Sequence, residues 1–194
     1  GSTQTKLGDI GYTDVNGDGK IDGEDQVRIG KPTMPHFTYA FDFSLGYEGF
    51  TLSGLLYGTG ERYMTFGNRY QSGEGKYLYY ENQLNYWRPD NTGADFPRIS
   101  ISSGVNGNNN KAGSTFWMRN ASYLRLKDLQ LSYDFKYKYL KKCDWLQTCR
   151  VNLSGSNLFT ISGVSKFFDP ETSSTSGDGY PVQRVYSIGV TIGF

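Results

Sequence analysis

The chemistry most plainly written in this chain is metal ligation. Asp14-Val15-Asn16-Gly17-Asp18-Gly19-Lys20-Ile21-Asp22-Gly23-Glu24-Asp25 sets oxygen side chains at loop positions 1, 3, 5, 9 and 12, namely Asp14, Asn16, Asp18, Asp22 and Asp25. Gly19 stands where such a loop must turn sharply, and Lys20, the next residue, offers its backbone carbonyl. Ca²⁺ takes six to eight hard oxygens, which is what this spacing gathers. The last ligand, Asp25, is shorter than the bidentate Glu usual there, which lowers affinity or alters geometry. No helices are predicted to flank the loop, and the same residues also suit a metal-free Asn/Gly/Asp turn. A bound Ca²⁺ would be structural, because every ligand is used in the cage.

Other chemistries fare worse. No Ser/His/Asp or Cys/His arrangement is recognisable around His36, the only histidine, and no phosphate loop is present. Glu74, Glu81, Asp90 and Asp95 are carboxylates, but nothing in the sequence sets a pair at the separation glycoside hydrolysis needs. An enzyme is therefore not expected. Cys143 and Cys149 are close enough in sequence to pair in an oxidising compartment, and equally suit two separate thiols. Zinc is disfavoured by the lone, distant His36.

The elements around these residues are strands. Tyr186, Ile188, Val190, Ile192 and Phe194 alternate strictly with Ser187, Gly189, Thr191 and Gly193. Period two is the strand period. The small-polar face carries no charge, unlike the wet face of a soluble sandwich, although an edge strand of a sandwich remains an alternative. Apolar residues outside and small polar residues inside suit a transmembrane barrel strand. Phe37-Thr38-Tyr39-Ala40-Phe41-Asp42-Phe43-Ser44-Leu45-Gly46-Tyr47 repeats the scheme with six apolar members. Glu48-Gly49 predicts a tight turn, with a returning strand over Phe50 to Tyr57. Ser122 to Phe135 predicts a third long strand, whose apolar parity changes near Lys127-Asp128, so a β-bulge is expected there. Arg150 to Ile161 predicts a fourth.

Between these strands the connections alternate in length. Gly58 to Met118 is very long, Lys136 to Thr148 is a short basic-aromatic connector, and Ser162 to Gln183 is a second long loop. Barrels of the outer membrane alternate short periplasmic turns with long extracellular loops. The pattern puts the Asp-rich loop outside the cell and both cysteines on the periplasmic side. Scattered tyrosines between Tyr63 and Trp87 suit sugar or peptide contacts, or simply pack the loop against itself. A short helix is expected within Lys76 to Tyr86.

Composition agrees with this class. The chain of 194 residues is 16% aromatic, with 16 Tyr, 12 Phe and 25 Gly. A net charge of +1 shows no nucleic-acid footprint. Mean hydropathy is −0.56 and no apolar run reaches membrane-helix length, but a barrel strand needs only about 9–11 residues, half of them polar. No signal peptide opens the chain, and its Gly1-Ser2 start is read as a cut within a longer protein.

The end of the chain resembles the assembly signal of bacterial outer-membrane barrels, with Ser187, Gly189, Ile192 and Phe194 in its polar, Gly, apolar and aromatic places. More widely, Asp14 to Gly19, Tyr123-Leu124-Arg125-Leu126-Lys127-Asp128, Ser156-Asn157-Leu158-Phe159-Thr160 and Phe168-Asp169-Pro170-Glu171, followed by a terminal Phe, occur in that order. Together they resemble the C-terminal portion of the SusC/RagA-type TonB-linked outer-membrane transporters, over almost the whole chain. That resemblance implies an all-β fold: an antiparallel up-and-down meander of about five long strands, part of a large plugged barrel of about 22. It implies import of glycan or peptide fragments across the bacterial outer membrane, a SusD-type surface lipoprotein partner and energy from TonB. The plug and most of the barrel have no counterpart here. Residues 1–35 are read as an extracellular-side loop segment and 36–194 as barrel strands and loops. The rival reading is a secreted, calcium-stabilised carbohydrate-binding β-module.

Overall fold

The computed structural model describes residues 5–71, 80–99, 109–172, 175, 179–180 and 182–194. Five long strands form one antiparallel sheet: β1 (Phe37–Tyr47), β2 (Phe50–Gly60), β5 (Tyr123–Asp134), β6 (Thr148–Ser162) and β7 (Val185–Gly193), in the order β1-β2-β5-β6-β7. The up-and-down meander is thus as the alternation predicts. Glu48 and Gly49 turn β1 into β2 with φ of 46° and 85°. Two short strands, β3 (Tyr63–Thr65) and β4 (Met118–Asn120), pair with each other just beyond the β2–β5 ladder. Sequence alternation does not show them, because three residues carry too little pattern.

The register explains the faces. Phe41 lies opposite Leu56, Leu52 opposite Leu131, Leu153 opposite both Leu131 and Ile188, and Val190 opposite Val151. One face is therefore a continuous apolar wall. The expected bulge is present: Leu55 pairs with Asp128 and Leu56 with Leu126, so Lys127 is the extra residue. It lets Leu124 and Leu126 share a face with Leu129 and Leu131 despite their changed parity. Opposite it, β6 carries Asn157 in a left-handed conformation (φ 55°).

The apolar wall is not a core. Phe41, Leu45, Ile188, Val190 and Ile192 are all more than half exposed. A soluble sandwich would bury such a face against a second sheet. An 11-residue strand at about 3.3 Å per residue spans roughly 36 Å, or about 28 Å when tilted about 40°, close to the apolar band of a membrane barrel. No helix among the described residues is long and apolar enough to cross a membrane, which says nothing of strands.

Among the described residues, most of the buried hydrophobics lie instead in the long loops. Ile10, Phe66, Tyr70, Phe96 and Trp117 form one cluster, joined by Phe167 and Phe168. Phe66 meets the Phe167 ring edge-on at 4.8 Å, and Tyr70 stacks on Tyr80 at 4.9 Å. Of the scattered loop tyrosines, Tyr70, Tyr80 and Tyr86 thus pack in this cluster. Asp9, with no exposed side-chain area, staples the N-terminal segment onto this cap through a two-point ion pair with Arg98 at 2.7 and 3.0 Å. Residues Lys76 to Tyr79 of the expected helix lie outside the described residues; after them comes a 3₁₀ turn at Glu81–Leu84.

On the apolar wall, β1 rings lie over β2 glycines. Phe37 pairs with Gly60, Tyr39 with Gly58 and Phe43 with Gly54. The Tyr39 ring crosses Gly58, and its hydroxyl donates to the Tyr123 carbonyl on β5 at 3.1 Å. A methyl group at Gly58 would collide with both that ring and the Tyr123 backbone. Gly58→Ala should therefore destabilise the folded barrel by about 1–3 kcal/mol. Adding Tyr39→Ala should restore little, because the backbone clash remains. Urea titration of the refolded barrel, read by gel mobility, checks both outcomes.

Candidate functional site

On the opposite, polar face, a set of charges gathers at the loop end of β5. Arg125 is 1% exposed. Its Nη2 meets Asp169 Oδ2 at 2.5 Å, its Nη1 meets Glu171 Oε2 at 2.7 Å, and its Nε donates to Thr160 Oγ1 at 2.8 Å. Glu171 also accepts from the Tyr123 hydroxyl at 2.7 Å and from Lys127 Nζ at 3.0 Å. The Lys127 ammonium lies 4.7 Å from the centre of the Tyr57 ring.

Local structure places each member. Arg125 alternates with Leu124 and Leu126, so it must leave the apolar wall by the other face. Lys127 is the bulge residue, which keeps it on the same side as Arg125. Thr160 sits opposite Arg125 in the β5–β6 register. Asp169 and Glu171 come from the turn after β6, where Asp169 Oδ1 accepts the Glu171 N–H at 2.8 Å and Pro170 lies between. The Pro170 carbonyl accepts from Arg62 Nη1. Burial pushes the Glu171 carboxyl up, but its hydrogen bonds from Tyr123 and Lys127 and the charges of Arg125 and Lys127 outweigh this. It titrates below the ordinary carboxylate range.

This cluster cannot do acid–base catalysis as arranged, because both carboxylates are neutralised by cations. It is a strut. It holds the 163–172 turn against the strands, and that turn delivers Phe167 and Phe168 to the aromatic cap. Beside it opens a cavity of about 580 Å³ lined by Asn157, Thr160, Lys166, Tyr180 and Arg184. Sequence reading quoted Arg125, Asp169 and Glu171 as motif residues but assigned them no role. The one available signal was a charged residue on the polar parity of a barrel strand.

The residues singled out by sequence are placed as follows. In the Asp-rich loop, Asp14 accepts from the N–H groups of Gly17 and Gly19 at 2.6 and 2.8 Å. Asn16 accepts from Asp18, Asp18 from Lys20 and Asp22 from Glu24. Asp25 accepts from Asp22 and Val15, and these backbone bonds hold its carboxyl below its usual range. Gly17 and Gly19 adopt φ of 78° and 80°, as a sharp turn needs. No three Asp, Glu, His or Cys side chains among the described residues converge to hold a metal ion. Cys143 and Cys149 are both free thiols, so the disulfide considered from their spacing is not formed. Cys149 is fixed in β6 opposite Ile192, while Cys143 is fixed in the connector, its N–H donating to the Leu140 carbonyl. Hydrogen bonds to separate elements close the connector without a covalent link. Ser187, Gly189 and Ile192 lie on β7, the edge strand, and Phe194 follows it, 75% exposed.

Arg125→Met should leave Asp169 and Glu171 without their shared cation and cost about 3 kcal/mol. The readout is protease cleavage within 163–183, which should become fast while the barrel stays folded. The same loop should loosen in acid. Because the Glu171 carboxyl is held low, its contribution is present above the unfolded value of about 4.3 and is lost as pH falls through its folded value.

Known proteins agree with this architecture. The chain matches no family model. It is 27% identical over 196 residues to TonB-dependent receptor P3 of Formosa agariphila, covering 94% of this chain and 19% of that receptor. It is likewise 27% identical over 202 residues to TonB-dependent receptor P26 of the same organism, covering 97% of the chain and 20% of the receptor. Among solved structures, the RagAB peptide transporter matches 90% of this chain with a TM-score of 0.68 and 27% identity, over 19% of its own chain. The RagAB peptide importer in its closed-closed state gives 0.69 at 27% identity over 95% of this chain and 20% of its own. The chain thus spans about a fifth of the length of the proteins it matches. These relatives are receptors and transporters, not enzymes. With an apolar wall that no core covers and a polar face opposite, the chain is similar in sequence and fold to a barrel segment of the TonB-dependent outer-membrane receptors, the RagAB transporter among them.

Proposed function

We propose that this chain is a wall segment of an importer that takes peptide or glycan fragments through the outer membrane with TonB energy and a SusD-type surface lipoprotein. The observation that carries the reading is the superposition of the sheet and its loops on the RagAB peptide transporter at a TM-score of 0.68. Of the two cargoes, that likeness favours peptides. The long-loop end, with its aromatic cap, is the extracellular side, where a lipoprotein lid would sit. The short-connector end is periplasmic. Uptake of labelled oligopeptides and oligosaccharides by cells carrying the complete receptor, with and without TonB, tests the reading. Uptake of oligopeptides that depends on TonB is the expected result, and uptake of neither sinks it.

Within that function, Phe194 serves assembly. It stacks on Trp145 at 5.8 Å and 13° at the turn end of the sheet, where aromatic girdles meet the membrane interface. Phe194→Ala in the complete receptor should lower the amount of barrel in the membrane while uptake per inserted molecule stays near normal. Surface abundance and uptake measured together check this; normal abundance with defective uptake would place Phe194 in the transport path.

The Asp-rich loop we read as a structural Ca²⁺ site. Four carboxylates, Asp14, Asp18, Asp22 and Asp25, crowd a loop already turned by Gly17 and Gly19. An oxygen accepting one N–H keeps a second lone pair for a cation. The ligands would be the side chains of Asp14, Asn16, Asp18, Asp22 and Asp25 with the Lys20 carbonyl, after small rotations toward a common centre. Calorimetric titration of Ca²⁺ should give heat with the native loop and none with Asp18→Ala. Silence from both would establish a metal-free turn.

A further inference from the structure

The connector between β5 and β6 concentrates positive charge. Residues 135–147 hold Lys136, Lys138, Lys141 and Lys142 against the single acid Asp144, in a chain whose net charge is only +1. Lys136 is committed inward, its Nζ donating to the Cys143 carbonyl at 2.6 Å. Lys138, Lys141 and Lys142 are exposed, and none forms an ion pair with a described residue.

The connector is folded rather than loose. Tyr139 and Leu140 donate their N–H groups to the Phe135 carbonyl at 3.1 and 2.9 Å, Gln147 donates to the Gly193 carbonyl at 2.8 Å, and Leu146 is buried. The lysines therefore leave a fixed scaffold. Exposed rings stand on the same scaffold. Tyr139 packs 6.2 Å from Tyr133, which meets Phe50 at 4.4 Å on the apolar wall. Trp145 stacks on Phe194. The apolar wall thus ends in rings, and the ammonium groups follow at once.

That order is what a bilayer surface selects: acyl chains against the wall, rings at the headgroup boundary, ammonium groups at phosphate level. The charge sign chooses the occupant. Ammonium groups with no protein partner gain little from zwitterionic headgroups and much from anionic ones. An acidic protein would use the lysines but leaves Tyr139, Trp145 and Phe194, all exposed and continuous with the lipid-facing wall, without a role.

We propose that this connector binds anionic phospholipid, through the phosphate of its headgroup, in the leaflet that meets the turn end of the barrel. The inference rests on the sheet being a membrane wall and is independent of what is imported. The complete receptor should be extracted in mild detergent, offered equal phosphatidylglycerol and phosphatidylcholine, and weighed intact by native mass spectrometry. Preferential retention of phosphatidylglycerol is expected, weakening as salt is raised. Each lysine near an anionic surface is worth about fivefold, so Lys138→Gln, Lys141→Gln and Lys142→Gln together should reduce that retention by roughly 100-fold. Heat-modified gel mobility confirms that the variant barrel is folded. Equal retention of the two lipids by the native receptor overturns the proposal and needs no variant. So does undiminished phosphatidylglycerol retention in a folded triple variant, or loss in that variant of a bound acidic protein with lipid retention unchanged. Failure of uptake would not touch it, so the lipid site and the import function can fail separately.

Discussion

The Arg125 guanidinium is where the two folded parts of this chain are joined. One part is a sheet with no core of its own; the other is a cap of loops that holds nearly all the buried hydrophobics. A buried guanidinium is costly unless its donors are matched. Here Asp169, Glu171 and Thr160 match them, and two of the three come from the turn that supplies Phe167 and Phe168 to the cap. The ion pairs therefore set where the cap sits on the strands. An apolar pair of similar volume could hold the two together as strongly, but it would not fix the turn's orientation by three separate bonds.

The second constraint is the medium. In hydrocarbon, backbone groups find no water, so every strand that meets lipid needs a partner on each side. The ladder satisfies this for β2, β5 and β6, and leaves β1 and β7 with one open side each. The aromatic-over-glycine pairs on β1 and β2 answer a related demand. A glycine on the lipid face exposes backbone, and Phe37, Tyr39 and Phe43 cover Gly60, Gly58 and Gly54 with ring surface. The tyrosine hydroxyl then finds the Tyr123 carbonyl. Bare backbone and bulky ring complement each other across one strand pair.

Much of the wall was legible in the sequence because one rule governs each strand. Alternation marked β1 and β7 nearly to the residue, and the parity slip at Lys127 gave away the bulge. The cap was not legible, because its cause is tertiary. Apart from the neighbours Phe66 and Tyr70, the cluster draws Phe96, Trp117 and Phe167 from distant stretches that follow no period, and nothing local says that they converge. The same holds for the strut: Arg125 and Glu171 are 46 residues apart. The cysteines left two readings open for a different reason. Closeness in sequence says nothing about the direction of two side chains, one set by a strand and the other by a turn.

The cap also explains how β2 and β5 come to be neighbours despite the long insertion between them. A disordered loop of that length would oppose the pairing only modestly, since closure entropy grows slowly with length, but it would leave the register weakly specified. The chain avoids that. β3 and β4 pair where the insertion leaves the wall, and the Ala121 N–H donates to the Arg62 carbonyl at 2.8 Å at the same place. Beyond them, the Phe66 N–H donates to the Trp117 carbonyl at 2.9 Å, beneath the aromatic cluster. The insertion is zipped from its root outward, so the same rings that build the cap also hold the wall's most distant strand pair in register. The cap and the apolar wall are thus stabilised together, and a change in either reaches the other through Arg125 and the β3–β4 root.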